Sequence, residues 1–299
     1  MTQLLEITIG MNPNIGSVAG LLITWHGVFT AIGIIAGVWL AVSLARSPRI
    51  NIDEDTGYTL GMIVVFCGIV GARALYVIEN YGDNSSIDDV VDIVRITEGG
   101  ISIYGAIIGG AIGGWAYGLW KRLPAAAGAD AAGMGMLLGL AIGRIGDIIN
   151  GEHLANATSL PWGVVYTHPN AGQAFDHSLV SGPTHPAVGY ELIGDLVILG
   201  VLALLWRRHL KDGVTFTLAF LLYAVMRFFV SFLRTDSKDV VLGLTTPQFV
   251  SVLVIAVAIP LLLYFLKRPR KEGAWMPPAE RSRLAASRAE RRRRLRTGS

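Results

Sequence analysis

Residues 131–154 read AAGMGMLLGLAIGRIGDIINGEHL. The first part, Ala131 to Ile149, is an apolar, glycine-laced run of the length that crosses a hydrocarbon core, since about 30 Å of hydrocarbon takes roughly 20 residues of helix. Its last turns carry Arg144, Asp147 and Asn150, and Glu152 and His153 follow at once. Polar groups of that kind at the end of a membrane helix are costly to bury, so each needs a reason.

The rest of the chain has the same character. Of its 299 residues 52% are hydrophobic and only 16% charged, and the mean hydropathy is +0.52, which excludes an ordinary soluble domain. Seven stretches have the length and composition of spans: Leu21 to Leu44, Tyr58 to Ile78, Ile101 to Trp120, Ala131 to Ile149, Val188 to Trp206, Val214 to Phe232 and Val250 to Leu266. The expected fold is therefore an all-α polytopic membrane protein of seven transmembrane helices, with six or eight as the alternatives. The start, MTQLLEITIGMNPNIG, has no basic region and its apolar run is too long for a signal peptide, so no cleavage is expected. The lone Cys67 falls within the second stretch and reads as a small packed residue.

Basic residues alternate by loop. Arg46 and Arg49 follow the first stretch, Lys121 and Arg122 the third, and Arg207, Arg208 and Lys211 the fifth; twelve more lie from Lys267 onward. The alternate loops hold only Arg95, Arg234 and Lys238, beside the acidic stretch IDDVVDI. The positive-inside rule then puts the N-terminus outside and the C-terminus in the cytoplasm. The division expected is a membrane domain over residues 1–266, with an outer loop at 151–186, and a basic tail, helical or disordered, at 267–299. Next to a last span, that tail fits anionic lipid headgroups, at about 1 kcal/mol per cation, better than nucleic acid.

Three basic residues remain, Arg73, Arg144 and Arg227, and all lie inside apolar stretches. A lipid-facing arginine at mid-bilayer costs about 2.5–3.5 kcal/mol on insertion scales, so these should turn inward and meet an anion. Together they outnumber the buried carboxylates expected near them. Arg144, Asp147 and Asn150 recur at spacings of three, and Tyr223, Arg227, Ser231 and Arg234 at four, four and three, so each set shares a helix side. Two arginine-bearing faces near the outer leaflet can converge on one anion, and in a membrane the abundant buried anion is a phospholipid headgroup. An ion pair of Arg144 with Asp147 within its own helix is the structural alternative. The glycines at 135, 139 and 143, and at 105, 109 and 113, form smooth stripes for close helix packing. Four histidines, His153, His168, His177 and His185, lie in the loop after Gly151, but none is at zinc-ligand spacing and no cysteine joins them, so no metal is expected.

The stretch GRIGDIINGE (143–152) resembles the signature of the prolipoprotein diacylglyceryl transferases, Gly-Arg-x-Gly-Asn-x-x-Asn-x-Glu. TWHGVFTAIGI (24–34), GARALYVIENY (71–81), EGGISIYGAIIGG (98–110), HPAVGYE (185–191) and RFFVSFLR (227–234) are similar, in order, to further segments of that family. The resemblance covers all seven stretches and leaves out the basic tail. It implies an enzyme of the bacterial inner (plasma) membrane with its site toward the outer leaflet. Such an enzyme moves a diacylglyceryl group from phosphatidylglycerol to the lipobox cysteine thiol at a prolipoprotein signal peptide, and releases glycerol phosphate. No metal or organic cofactor is implied. By matching positions, Arg144 and Arg227 would hold the lipid phosphate with Arg73 and Arg234 nearby; Asn150 and Glu152 would organise the outer end of the fourth span, and Tyr190 and Glu191 would brace the loop.

Four positions depart from the pattern, as two exchanges. His26 stands where the family has tyrosine and Tyr104 where it has histidine; Asp147 replaces the signature's asparagine and Ser231 a glutamate. A milder departure is Ala155 for glycine, followed by Asn156 for a basic residue. If His26 and Tyr104 face one another, imidazole and phenol are both kept, with His26 accepting the proton. One carboxylate gained and one lost leaves formal charge near the arginines unchanged. The departures also suit two other readings, a homologue that binds anionic lipid or precursor without turnover, and a transporter of anionic solutes, although no internal repeat supports the latter.

Overall fold

A computed structural model gives the chain as two compact units. The first comprises Met1–Ala41 and Ala129–Arg270, and the second, among the described residues, is Val42–Gly128. The residues described are 6–18, 21–81, 93, 100–151, 153–175, 182–237 and 239–269. Glu152, His177, Arg95, Lys238, most of the acidic stretch 87–93 and the tail from residue 270 lie outside them.

Among the described residues seven long helices carry the fold: α1 (Trp25–Ala45), α2 (Glu54–Asn80), α3 (Ile103–Trp120), α4 (Ala125–Asn150), α6 (Ala187–Trp206), α7 (Val214–Val230) and α8 (Thr246–Lys267); α5 (Gly172–Phe175) is a single turn. Six of them are long and apolar enough to cross a membrane, α7 with a 3-10 turn that extends it to Leu233, and α3 is not one of the six. At 18 residues α3 is at the short end of spanning length, and its six glycines dilute its apolar content. The chain is a multi-pass helical membrane protein. Its helices leave large apolar side chains exposed, such as Ile35 and Trp39 on α1 and Leu253 and Val257 on α8, as lipid requires.

Two expectations are corrected. The first helix begins at Trp25, four residues later than the apolar run, because Leu21–Thr24 (β3) pairs antiparallel with Asn14–Val18 (β2) and the Thr24 hydroxyl caps the helix by accepting from the Gly27 amide at 3.1 Å. The fold is also not purely helical. Ile7–Ile9 (β1) pairs in parallel with Val164–Tyr166 (β4), and Asp239–Val241 (β5) with Leu244–Thr245 (β6), short β-branched runs outside the long helices. Capping lengthens other helices beyond their apolar cores: Asp53 accepts from the Thr56 amide at 2.9 Å to start α2, which holds its carboxyl below the usual range, and the Gln248 side chain accepts from the Thr245 amide at 3.0 Å to start α8.

Glycine stripes bring helices together within each unit. In the first, a Cβ at Gly37 would lie 2.6 Å from the Gly135 carbonyl oxygen, and one at Gly33 the same distance from that of Gly139, so α1 and α4 touch backbone to backbone. In the second, Gly71 and Gly105 make the same approach between α2 and α3, and Cys67 packs against Gly113. The anticipated third member of the first stripe, Gly143, has nothing within 4 Å of a Cβ. Beside α4, α7 begins on a buried carboxylate: Asp130 accepts the Gly213 and Phe216 amides, both at 2.8 Å, and so pairs an anion with a helix N-terminus. Helix α7 packs against both α6 and α8.

Candidate functional site

Helix α4 ends at Asn150 because Gly151 takes φ +65°, a conformation that favours glycine, and because the Tyr166 ring lies 2.6 Å from where a Cβ would be. The Tyr166 hydroxyl then donates to the Ile148 carbonyl at 2.7 Å, and the Gln173 side chain to the His153 carbonyl at 2.7 Å, so the outer loop is laid back onto the helix end. Burial raises the Tyr166 phenol above its ordinary range and keeps it a donor. The same loop is zipped to the end of α7 by Asn156 N–H to the Leu233 carbonyl at 2.9 Å and Thr235 N–H to that of Leu154 at 3.1 Å. Ala155 is fully buried there beside Ala187 and Val230, so the methyl that replaces the family's glycine has a packed place.

At this corner α1, α4, α6 and α7 present charges to one another. Glu191, on α6 and 0% exposed, is the hub. Its Oε1 accepts from Arg227 of α7 and, at 3.2 Å, from Arg234 just beyond that helix; its Oε2 is 2.6 Å from Arg144 Nη2 of α4, an ion pair without hydrogen-bond alignment. Asp147 accepts from Arg144 Nη1 at 2.9 Å and meets His26 Nδ1 of α1 at 2.6 Å. Arg234 also donates to Asp236, at 3.0 Å from its Nε, and His153 stands between Asp236 (3.3 Å) and Asp147 (3.7 Å). Helix spacing thus does what the sequence implied: Arg144 and Asp147 share a side of α4, and Arg227 and Arg234 turn the same way.

The charges outside the membrane segments respond as this network dictates. Burial pulls the His153 pKa down, but its bonds to Asp147 and Asp236 outweigh that and raise it. Burial pushes Asp236 up, and the bonds from His153 and Arg234 more than reverse it, so its carboxyl is held well below the usual range.

Arg144 and Arg227 converge, and the group they share is Glu191. The cations do not outnumber carboxylates: around Arg144, Arg227 and Arg234 stand Asp147, Glu191, Asp236 and, one turn along α6 from Glu191, Asp195. The Arg144 Nε is buried without a hydrogen-bond partner among the described residues, a donor still unspent. Ser231 contributes no charge contact; its hydroxyl donates to the Arg227 carbonyl at 2.7 Å. The two exchanges read from the sequence are therefore linked, because the imidazole gained at 26 and the carboxylate gained at 147 are bonded to each other. Tyr190 accepts the Trp162 indole N–H at 2.8 Å and so braces the loop.

Arg73 and Tyr104 belong to the second unit. The Arg73 guanidinium donates to the backbone carbonyls of Ile93 (2.9 Å) and Gly100 (2.7 Å) and lies 5.3 Å over the Tyr76 ring, contacts that fasten the approach to α3. Tyr104 is half-buried in the first turn of α3. Asp195 and Asp236 were missed. For Asp195 the signal was present, a carboxylate inside an apolar stretch four residues after Glu191; Asp236 becomes relevant only when the loop folds back.

Beside the charged corner is a cavity of about 460 Å³, whose walls include Ile7, Ile9, Ile148, Val188, Ile193 and His153.

The sequence profile of the family described as prolipoprotein diacylglyceryl transferase matches residues 13–264. A relative from Dehalococcoides mccartyi is 31% identical over 264 residues, covering 88% of this chain and 97% of its own. One from Clostridioides difficile is 35% identical over 222 residues (73% and 81%), and one from Corynebacterium diphtheriae 34% over 254 residues (81% and 89%). All three are named phosphatidylglycerol–prolipoprotein diacylglyceryl transferase.

Proposed function

We infer that this chain, which belongs to the prolipoprotein diacylglyceryl transferase family, is an enzyme that transfers the diacylglyceryl group of phosphatidylglycerol to a cysteine thiol of prolipoproteins, forming a thioether and releasing glycerol phosphate. The observation that carries the reading at the level of residues is the convergence of Arg144, Arg227 and Arg234 on one carboxylate, with the Arg144 Nε donor left over. Guanidiniums so pre-organised suit a phosphodiester and the greater charge that grows on it as the carbon–oxygen bond breaks.

In this reading Arg144 and Arg227 grip the phosphate, Glu191 sets their spacing, and Arg234, held by Asp236, completes the positive wall. Asp147 fixes the His26 ring by accepting the hydrogen bond of its Nδ1–H, which makes Nε2 the basic atom toward the incoming thiol; the side chain is 43% exposed. The nucleophile belongs to the acceptor, so no cysteine of the enzyme is required. The apolar cavity beside His153 suits the acyl portion of a lipid whose headgroup is at the arginines. Asn150, Glu152 and Tyr190 shape the outer end of the site, Tyr104 has a catalytic part on the resemblance alone, and Arg73 a structural one.

The topology we propose has α3 as a seventh span, the N-terminus outside and the C-terminus in the cytoplasm. The loop distribution of basic residues supports it. It puts the arginine corner toward the outer leaflet of the bacterial inner membrane, residues 1–266 in the membrane domain and the basic tail from 267 on anionic headgroups. Transfer of labelled diacylglyceryl from phosphatidylglycerol to a cysteine peptide, measured for the full chain and for Arg144→Ala and Arg227→Ala, tests the assignment. Each variant should lose transfer; a variant as active as the parent would remove its arginine from the site.

A further inference from the structure

Asp195 lies on α6, one turn or about 6 Å of helix rise from Glu191, and is 0% exposed. Among the described residues neither of its carboxyl oxygens has a hydrogen-bond partner. The charged and titratable groups within its electrostatic reach are Arg144 of α4, Glu191 of its own helix, and Tyr223 and Arg227 of α7. Among the described residues the other carboxylates of this corner, Asp147, Glu191 and Asp236, are all in direct ion pairs. An ionised carboxylate kept out of water with no bond to either oxygen is far costlier than its neutral acid.

The reaction needs such an acid. A phosphodiester carries one negative charge, and the monoester it becomes when the glyceryl carbon–oxygen bond breaks carries two unless a proton goes with it. A second charge created inside a membrane site opposes the departure of the product.

We propose that Asp195 is a neutral carboxylic acid in the resting enzyme and gives its proton to the departing phosphate. This rests on the transfer reaction of the preceding section. The acceptor sulfur forms a bond to the glyceryl carbon while the carbon–oxygen bond breaks and leaves its electron pair on the phosphate oxygen. The thiol proton goes to His26 Nε2, and the Asp195 proton to a phosphate oxygen. Glycerol phosphate leaves with a single charge, and the new Asp195 carboxylate takes up the guanidinium charge that the phosphate releases. Return of the proton from His26 to Asp195 resets the site, so the net fate of the thiol proton is the phosphate product.

The test uses the purified full chain, phosphatidylglycerol vesicles and a cysteine-containing acceptor peptide, with kcat and KM measured separately against pH. Asp195→Asn keeps the shape of the neutral acid but has no proton to give, so kcat should fall about 10²–10⁴-fold at unchanged KM and lose its decline at alkaline pH, with part of the rate recovered by Asp195→Glu. An unchanged kcat in Asp195→Asn overturns the proposal, and so does a raised KM at unchanged kcat, which would make Asp195 part of the anion grip. If the asparagine variant does not fold, the infrared spectrum of the parent decides: a protonated-carboxyl band that shifts in Asp195→Glu supports the proposal, and its absence refutes it. A parent enzyme that transfers nothing sinks the transferase reading and this step with it. A parent and an Asp195→Asn variant of equal rate sink this step alone.

Discussion

Replacing Asp147 by asparagine exchanges a single heavy atom, oxygen for nitrogen, and should disable the base. The Asp147 carboxylate serves two donors at once, Arg144 Nη1 at 2.9 Å and His26 Nδ1 at 2.6 Å. An asparagine has one acceptor oxygen. Arg144 can only donate, so the oxygen must stay with Arg144 and the amide nitrogen turns to His26, to which it can only donate. Nδ1 becomes the acceptor, the ring proton moves to Nε2, and the atom that should receive the thiol proton is blocked. General-base catalysis contributes typically 10²–10⁴-fold, so kcat should fall by that factor, about 2.7–5.4 kcal/mol in the barrier. In the same transfer assay KM for phosphatidylglycerol should move much less, because the arginine grip keeps its oxygen partner. A cycle with His26→Gln sharpens the test: once Asp147 is asparagine, losing the imidazole should cost little more, a strong departure from additivity. Fully additive losses, or an Asp147→Asn enzyme with normal kcat, would refute the dyad.

Glu191→Gln leaves three guanidiniums short of their shared anion, and removing one partner of a buried pair costs about 3–5 kcal/mol; the melting temperature in detergent should drop, and phosphatidylglycerol should restore more of it than a zwitterionic lipid does. His153 has a raised pKa, so its bonds stabilise fully below the unfolded value of about 6.5 and are lost as pH rises through the folded value; thermal unfolding of the parent should weaken over that interval, and His153→Gln should flatten the dependence. Asp130→Ala strands two buried amides at the start of α7, at about 1–3 kcal/mol each, readable as a loss of melting temperature with KM unchanged. Gly135→Val forces α1 away from α4, since even a Cβ would come within 2.3 Å of the Gly37 carbonyl oxygen, and overpacking of this kind costs about 1–3 kcal/mol.

What the sequence disclosed follows from what each signal measures. Hydropathy located the long helices because lipid enforces one composition along a whole span, but it misjudged the first boundary, where Leu21–Thr24 is as apolar as a helix and is held as a strand by pairing with Asn14–Val18. Helix spacing put Arg144 with Asp147, and Arg227 with Arg234, on common faces. It said nothing of Glu191 as the group between them, because that contact joins residues 36 to 47 positions apart on different helices. The bond of His26 to Asp147 spans 121 positions and was legible only as two apparently separate exchanges. Asp195 was legible in principle, because a carboxylate within a span is as informative as an arginine, but it has no helix-spaced cation on its own helix to single it out.

The most direct test of the account is an experimental structure of the full chain in a phosphatidylglycerol bilayer. It should show the lipid phosphate within hydrogen-bonding distance of both the Arg144 and Arg227 guanidiniums. A headgroup resolved elsewhere, with both arginines still spent on Glu191, would contradict it.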